Sequence, residues 1–229
     1  MNGTAQTKSN HAFWFFSLFL AALLLAGCGN GLLFNSYFGL YAPSVDLDRD
    51  YDWYRSQMNT GSDSRSNCGP ASVSMSIKYI QERNVGVEDV RNDAGGPKGW
   101  WSMYNVTAAL SRYNIGYNVV PLLYREQLFS SLSAGHLVIV CLNMSALTRE
   151  PKNSETRQNR FYDGVTGHFI ILKGYTADRQ WFLAYDSNTW AHDYYEDGSP
   201  KGKDRLYSIG EVLAAVQSWN PYYLELQGR

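Results

Sequence analysis

Asn67-Cys68-Gly69-Pro70-Ala71-Ser72 is the stretch on which the fold turns. Proline is favoured in the first turn of a helix, where its missing N–H would have no partner. Val73, Ile77 and Ile80 then recur at i, i+4 and i+7, the spacing of one apolar helix face. The pattern predicts a helix that opens at Cys68. There, unpaired backbone N–H groups and the helix dipole favour a thiolate over a thiol. Gly69 leaves room for a substrate backbone to come close. A cysteine that merely starts a helix would look the same, so a base has to be found elsewhere in the chain.

Outward from this stretch, three further helices are predicted by apolar spacing: Val106, Ala109, Leu110 and Tyr113; Leu128 and Leu132 before Gly135; and Ile209, Val212, Leu213 and Val216. The runs Leu137–Asn143, Phe169–Gly174, Trp181–Tyr185 and Tyr222–Leu226 are strand-like. Helices come first and strands mostly later, which predicts an α+β fold with an antiparallel sheet rather than alternating βαβ units. The polar stretch from Ser145 to Thr166 has no apolar period and reads as a long loop able to cover a site.

His168 stands directly before the second of these runs, and Asp186 directly after the third. Each is nine residues from Ala177, the middle of the turn expected at Thr176–Arg179. An antiparallel pairing about that turn would set them directly opposite each other, with Cα atoms about 4.5–5.5 Å apart. A carboxylate so placed fixes the imidazole tautomer and leaves the other ring nitrogen to take the thiol proton. A slip of one residue would turn Asp186 to the other face. Asn188 is the alternative orienter, because an amide can also hold a histidine.

The 229 residues, with 45% hydrophobic and 18% charged content, suit one domain with a sizeable core. A net charge of -1, a pI near 6.4 and the lack of any Lys/Arg block argue against a nucleic-acid partner. His136 and His192 have no ligand spacing to each other or to a cysteine, so neither a metal nor a cofactor is expected. The Trp100–Trp101 pair could line a groove, although core packing is the better expectation.

At the N-terminus, Lys8 precedes an uncharged apolar run from Ala12 to Ala26. It is laid out as a secretory signal and falls short of the roughly 20 apolar residues of a membrane span. The run ends in Leu25-Ala26-Gly27-Cys28, which resembles the lipobox of bacterial lipoproteins. That resemblance implies a lipid on the Cys28 sulfur and cleavage before it. Residues 1–27 would then be the signal, 28–50 a lipidated linker and 51–229 the domain, anchored on a membrane of the bacterial envelope and facing the periplasm or cell exterior. Such a compartment permits disulfides. Cys141, however, lies inside an apolar strand-like run and reads as a small buried hydrophobe, which argues against a bond to Cys68.

Three blocks together resemble a known family: Asn67 to Ser72, Gly167-His168-Phe169-Ile170-Ile171-Leu172-Lys173-Gly174-Tyr175, and Tyr185-Asp186. They are similar to the Peptidase_C39-like peptidases, typified by bacteriocin-leader processing enzymes, over about Tyr51 to Leu226. The resemblance implies a papain-like fold, with the cysteine helix packed on the sheet that bears the histidine and the aspartate. It assigns Cys68 as nucleophile, His168 as base and Asp186 as orienter. The family usually places an oxyanion-holding glutamine shortly ahead of the cysteine. Here the nearest upstream glutamine is Gln57, eleven residues ahead, and it serves only if the intervening stretch loops out. The expectation is a cysteine hydrolase acting on a peptide or protein substrate. Acyl transfer at the same site and a catalytically silent peptide-binding lipoprotein are the alternatives.

Overall fold

Seven strands form one sheet in the computed structural model, which describes residues 43–95, 98–152 and 154–227. The expected signal and the lipidation site at Cys28 lie outside the described residues. The strands are β1 (Val45–Asp46), β2 (Tyr117–Pro121), β3 (Leu137–Asn143), β4 (Gly167–Tyr175), β5 (Trp181–Tyr185), β6 (Arg205–Ser208) and β7 (Tyr222–Leu226). Their order is β2-β7-β3-β4-β5-β6, with β1 paired to β4, and every pairing is antiparallel. The helices are α1 (Cys68–Gln81), α2 (Val87–Asp93), α3 (Met103–Arg112), α4 (Glu126–Ser133) and α5 (Ile209–Trp219). The fold is thus the expected α+β arrangement.

The central strands are nearly continuous apolar runs because both faces of the sheet are covered. Leu137 and Ile139 of β3 and Phe169 and Ile171 of β4 face one core, shared with Val73 and Ile77 of α1 and Val106 and Leu110 of α3. Val138, Val140 and Leu142, with Ile170 and Leu172, face the other, shared with Leu128 and Leu132 of α4 and Val212 and Val216 of α5. Each fully buried aliphatic side chain contributes about 1.5–3 kcal/mol.

Helix α1 is buried around almost its whole circumference from Cys68 to Ile77. Its three buried serines are tolerated because each hydroxyl donates to a carbonyl: Ser72 to Cys68 at 3.0 Å, Ser76 to Ser72 at 2.8 Å and Ser74 to Val85 at 2.6 Å.

Three elements escape the periodicity argument. β2 is a half-exposed edge strand ending in Pro121, β6 is only four residues long, and α2, with seven, is too short to display a helical period. The folded part also begins ahead of the boundary expected at residue 51, because Val45 and Asp46 pair with Tyr175 and Gly174. The ammonium of Lys173, wholly buried, reinforces this start: it lies 2.9 Å from Asp46, 3.5 Å from Asp48 and 2.7 Å from Asp204. Burial alone would lower the lysine pKa, but these carboxylates raise it and keep the group charged.

Candidate active site

Cys68 is the first residue of α1 and is only 2% exposed. Burial pushes its thiol up, but the charge of His168, a hydrogen bond from it, and backbone N–H groups of Phe169 and Gly69 hold the thiol below its ordinary value. A thiolate at a helix start facing an imidazolium is the reactive form of cysteine. The stretch ahead of it is fastened by Arg91, whose guanidinium donates to Asn67 Oδ1 at 2.5 Å, to Ser66 O at 3.0 Å and to Gly99 O at 2.9 Å.

His168 heads β4 and is buried, with Nε2 2.7 Å from Asp186 Oδ1. Since Nε2 serves Asp186, Nδ1 is the nitrogen left to serve the thiol. Burial pulls the imidazole pKa down, yet the charges of Asp186 and Cys68 overcome this and raise it to about 10. Asp186 is pushed up by its own burial and drawn below its usual 3.8 by His168, Tyr207 and the backbone N–H of Asn188.

The carboxylate is saturated with donors. Oδ1 accepts from His168 and from the Asn188 N–H at 2.9 Å, while Oδ2 accepts from the hydroxyls of Tyr162 at 2.8 Å and Tyr207 at 2.6 Å. Both phenols are raised well above 10.0 by burial and by the Asp186 charge, so they remain donors. Tyr162 also sets its ring edge-on to the imidazole at 5.9 Å. Neither tyrosine was visible as a site residue from sequence, because nothing in the spacing ties a loop tyrosine or an edge-strand tyrosine to Asp186.

His168 and Asp186 do meet, although not by direct opposition. The ladder pairs Tyr175 with Phe182, shifts at a bulge at Lys173, and ends with Ile171 opposite Tyr185. Continued, that register would place Ile170 across from Asp186 and His168 across from Asn188. The expected pairing is therefore out by two places, an even number, which keeps Asp186 on the face of His168 as a diagonal neighbour within side-chain reach. The side-chain oxygen of Asn188, the alternative orienter, is instead engaged by Trp190, accepting from its Nε1 at 2.8 Å.

Gln57 is buried, and the residues between it and Cys68 do loop out, turning through left-handed Asn59 and Gly61. Its Oε1 accepts from Ser187 Oγ at 3.0 Å and its Nε2 donates to Ser64 O at 3.0 Å, so both ends of the amide are oriented. The backbone N–H of Gln57 donates to Ser187 O at 2.8 Å, which ties it to the loop that carries Asp186.

Two cavities meet at the site. One of about 340 Å³ is lined by Cys68, Trp101, Cys141, Phe169 and Trp219. The other, of about 870 Å³, is lined by Arg65, Arg149, Tyr162, Asn188, Trp190 and His192 among others. Trp100, Gly164 and Val165 border both, so the long loop ending at Thr166 overhangs the cleft as expected of a covering loop. The tryptophan pair divides: Trp101 is core, while Trp100 is 62% exposed at the junction. Cys68 and Cys141 are both free thiols. Among the described residues no group of three or more His, Cys, Asp or Glu side chains could hold a metal ion.

The sequence profile of the Peptidase_C39 like family matches residues 50–207, and the chain belongs to this family of papain-like cysteine peptidases. Its fold is similar to that of the peptidase domain of Streptococcus ComA, a bi-functional ABC transporter involved in a quorum-sensing pathway. Identity there is 13%, the TM-score 0.50, and the match covers 77% of this chain and 98% of that one. It is likewise similar to a protein of Bacillus anthracis assigned as a C39-like peptidase, at 14% identity and a TM-score of 0.55, covering 82% of this chain and 99% of that one. At such identities the likeness carries the fold alone. No curated protein sequence matches the chain.

Proposed function

We propose that the chain is an exported, lipid-anchored hydrolase that cleaves peptide or amide bonds through Cys68, His168 and Asp186. One observation carries the reading: a fully buried imidazole held 2.7 Å from a carboxylate, with the thiol of Cys68 drawn below its ordinary range beside it. The thiolate attacks the carbonyl carbon. The resulting oxyanion is received by the Cys68 N–H at the helix start and by the Gln57 amide. His168 gives its Nδ1 proton to the leaving amine, which departs and leaves a thioester on Cys68. His168 then takes a proton from water, the hydroxide attacks the thioester, and the acid is released with the thiol restored. Throughout, Nε2–H stays on Asp186, which stabilises the imidazolium.

The Leu25-Ala26-Gly27-Cys28 signature supports the anchor and the export. Cys28→Ser should abolish lipid labelling and release the domain into the soluble exported fraction. Normal processing of that variant on the membrane would defeat the anchor reading. The chemistry is tested by Cys68-dependent cleavage of a peptide library, with and without an added amine acceptor. Products bearing the amine in place of water would assign the chain to acyl transfer, and no turnover by a protein whose Cys68 alkylates readily would leave a binding role.

A further inference from the structure

The larger cavity, of about 870 Å³, lies on the imidazole side of the site. Tyr162, edge-on to His168, and Asn188, whose N–H serves Asp186, both line it, as do Met58 and Asn59 directly after Gln57. In the reaction proposed above, His168 hands its proton to the leaving amine, so the segment that departs with that amine extends into the cavity beside the imidazole. The volume is toward the upper end of the range for ligand pockets and holds more than one residue.

Its charged lining is unbalanced once existing bonds are counted. Asp163 is shared between Arg149 at 2.9 Å and Arg160 at 3.2 Å. Asp193 is buried, accepts from the Trp190 N–H at 3.1 Å and lies 3.6 Å from His192, and burial raises its carboxyl pKa above the usual 3.8. Arg65 differs: exposed in the cavity wall, its guanidinium has neither an ion pair nor a hydrogen bond among the described residues. Its backbone is nonetheless fixed on both sides, because Ser64 O accepts from Gln57 Nε2 at 3.0 Å and Ser66 O from Arg91 at 3.0 Å. A cation without a counter-charge is thus held three residues ahead of the nucleophile, with a planar fork of donors that fits a carboxylate.

We propose that Arg65 selects substrates that carry a carboxylate on the leaving segment, either an acidic side chain close to the cleaved bond or the free C-terminus of a short segment. The proposal rests on the reading of Cys68 as nucleophile and His168 as acid. The test uses peptides that share one acyl half and differ in the leaving half, with cleavage read by mass spectrometry. One pair sets Glu against Gln in a long, C-terminally amidated segment; the other sets a short neutral segment ending in a carboxylate against the same segment amidated. In at least one pair the carboxylate should raise kcat/KM roughly three- to ten-fold, and about 0.5 M salt should erase most of that gain. The pair that responds identifies the carboxylate that is read. Arg65→Gln should remove the preference, Arg65→Lys should keep part of it, and Arg65→Glu should invert it toward Gln or the amide, an inversion that a merely structural role would not produce. Alkylation of Cys68 no faster than that of Cys141, or cleavage that does not depend on Cys68, would remove the nucleophile and the selectivity with it. Cys68-dependent cleavage that ignores the carboxylate in both pairs, or a preference that Arg65→Gln and Arg65→Glu leave unmoved, would overturn the role of Arg65 while sparing the nucleophile.

Discussion

Asp186→Asn removes one negative charge from a fully buried position while keeping the shape of the side chain. The amide oxygen can still accept from His168 Nε2–H and from the Asn188 N–H, and the hydroxyls of Tyr162 and Tyr207 can rotate to accept from the new NH₂. The perturbation is thus mainly electrostatic. A unit charge at about 4 Å in a medium of effective dielectric about 20 is worth roughly 4 kcal/mol, or about three pKa units. The imidazolium, held at about 10, should therefore titrate nearer to its ordinary 6.5. The sign is fixed: losing an anion disfavours the charged imidazole, so the alkaline limb of activity moves down in pH. The thiol, whose lowering depends on the His168 charge, moves up. The thiolate–imidazolium window closes from both sides, and turnover at neutral pH should fall by about 10²–10⁴. The assay is the pH profile of Cys68 alkylation by iodoacetamide, read by mass spectrometry, beside peptide turnover on the same samples and circular dichroism to verify folding. A folded variant whose alkaline limb and turnover match the parent would refute the role given to Asp186.

Four further outcomes are expected. Tyr207→Phe deletes one hydroxyl from a buried carboxylate, a bond worth about 1.5–3 kcal/mol; it should raise the Asp186 pKa and slow turnover, with Tyr162→Phe acting similarly, and unchanged pH profiles in both would contradict this. Since the folded Asp186 pKa lies below 3.8, its contribution to stability is present above that value and lost as pH falls through the lowered one; Asp186→Asn should flatten this part of an acid-denaturation curve. Arg205, wholly buried, donates to Glu150 at 2.5 Å, to Gln158 O at 2.7 Å and to Asn159 O at 2.5 Å, thereby holding the overhanging loop. Arg205→Met should cost about 3–5 kcal/mol by urea denaturation, because buried Glu150 loses its nearest partner and keeps only Lys201 at 3.4 Å, while the loop carbonyls of Gln158 and Asn159 lose their donor; a loss under 1 kcal/mol is incompatible with that account. Gly202 passes so close to the Asp186 carbonyl that a Cβ would collide with it and lie 2.7 Å from Tyr54 Oη; Gly202→Ala should cost about 1–3 kcal/mol and lower turnover through Asp186, whereas a fully active, equally stable variant would show that the loop yields freely.

What could be read from the chain in advance was whatever local periodicity and a fixed spacing encode. The helix that opens at Cys68, the apolar runs of β3 and β4 and the antiparallel sheet all follow from positions near one another in sequence. The parts that could not be read are set by long-range convergence. Tyr162 from the overhanging loop and Tyr207 from a four-residue strand reach Asp186 only once the sheet is assembled. The continuous apolar character of β4 gave no clue to which of its residues face which core, because both faces are buried.

The His168–Asp186 contact shows how a mistaken register can still deliver the right pair. Counting from Ala177 assumed a regular hairpin with a tight turn. The turn is wider, with Thr176 N–H donating to Trp181 O at 3.0 Å, and Lys173 adds a bulge. Together these move the partner of His168 from Asp186 to Asn188. Had the displacement been one residue, Asp186 would face the α1 side and Ser187 would face the histidine. At two, the carboxylate stays on the side of Tyr162 and Tyr207 and reaches His168 diagonally, while Asn188 supplies a backbone N–H to the same carboxylate. The bulge places Lys173 where its ammonium can meet Asp46, Asp48 and Asp204. One irregularity in β4 therefore ties the start of the folded domain to the register that sets Asp186 beside His168. Lys173→Met should thus weaken more than the local ion pairs: if the bulge relaxes, the His168–Asp186 alignment changes with it, and the alkaline limb of peptide turnover should drift downward. An unchanged limb in a folded Lys173→Met variant would show that the register is held by the two cores alone.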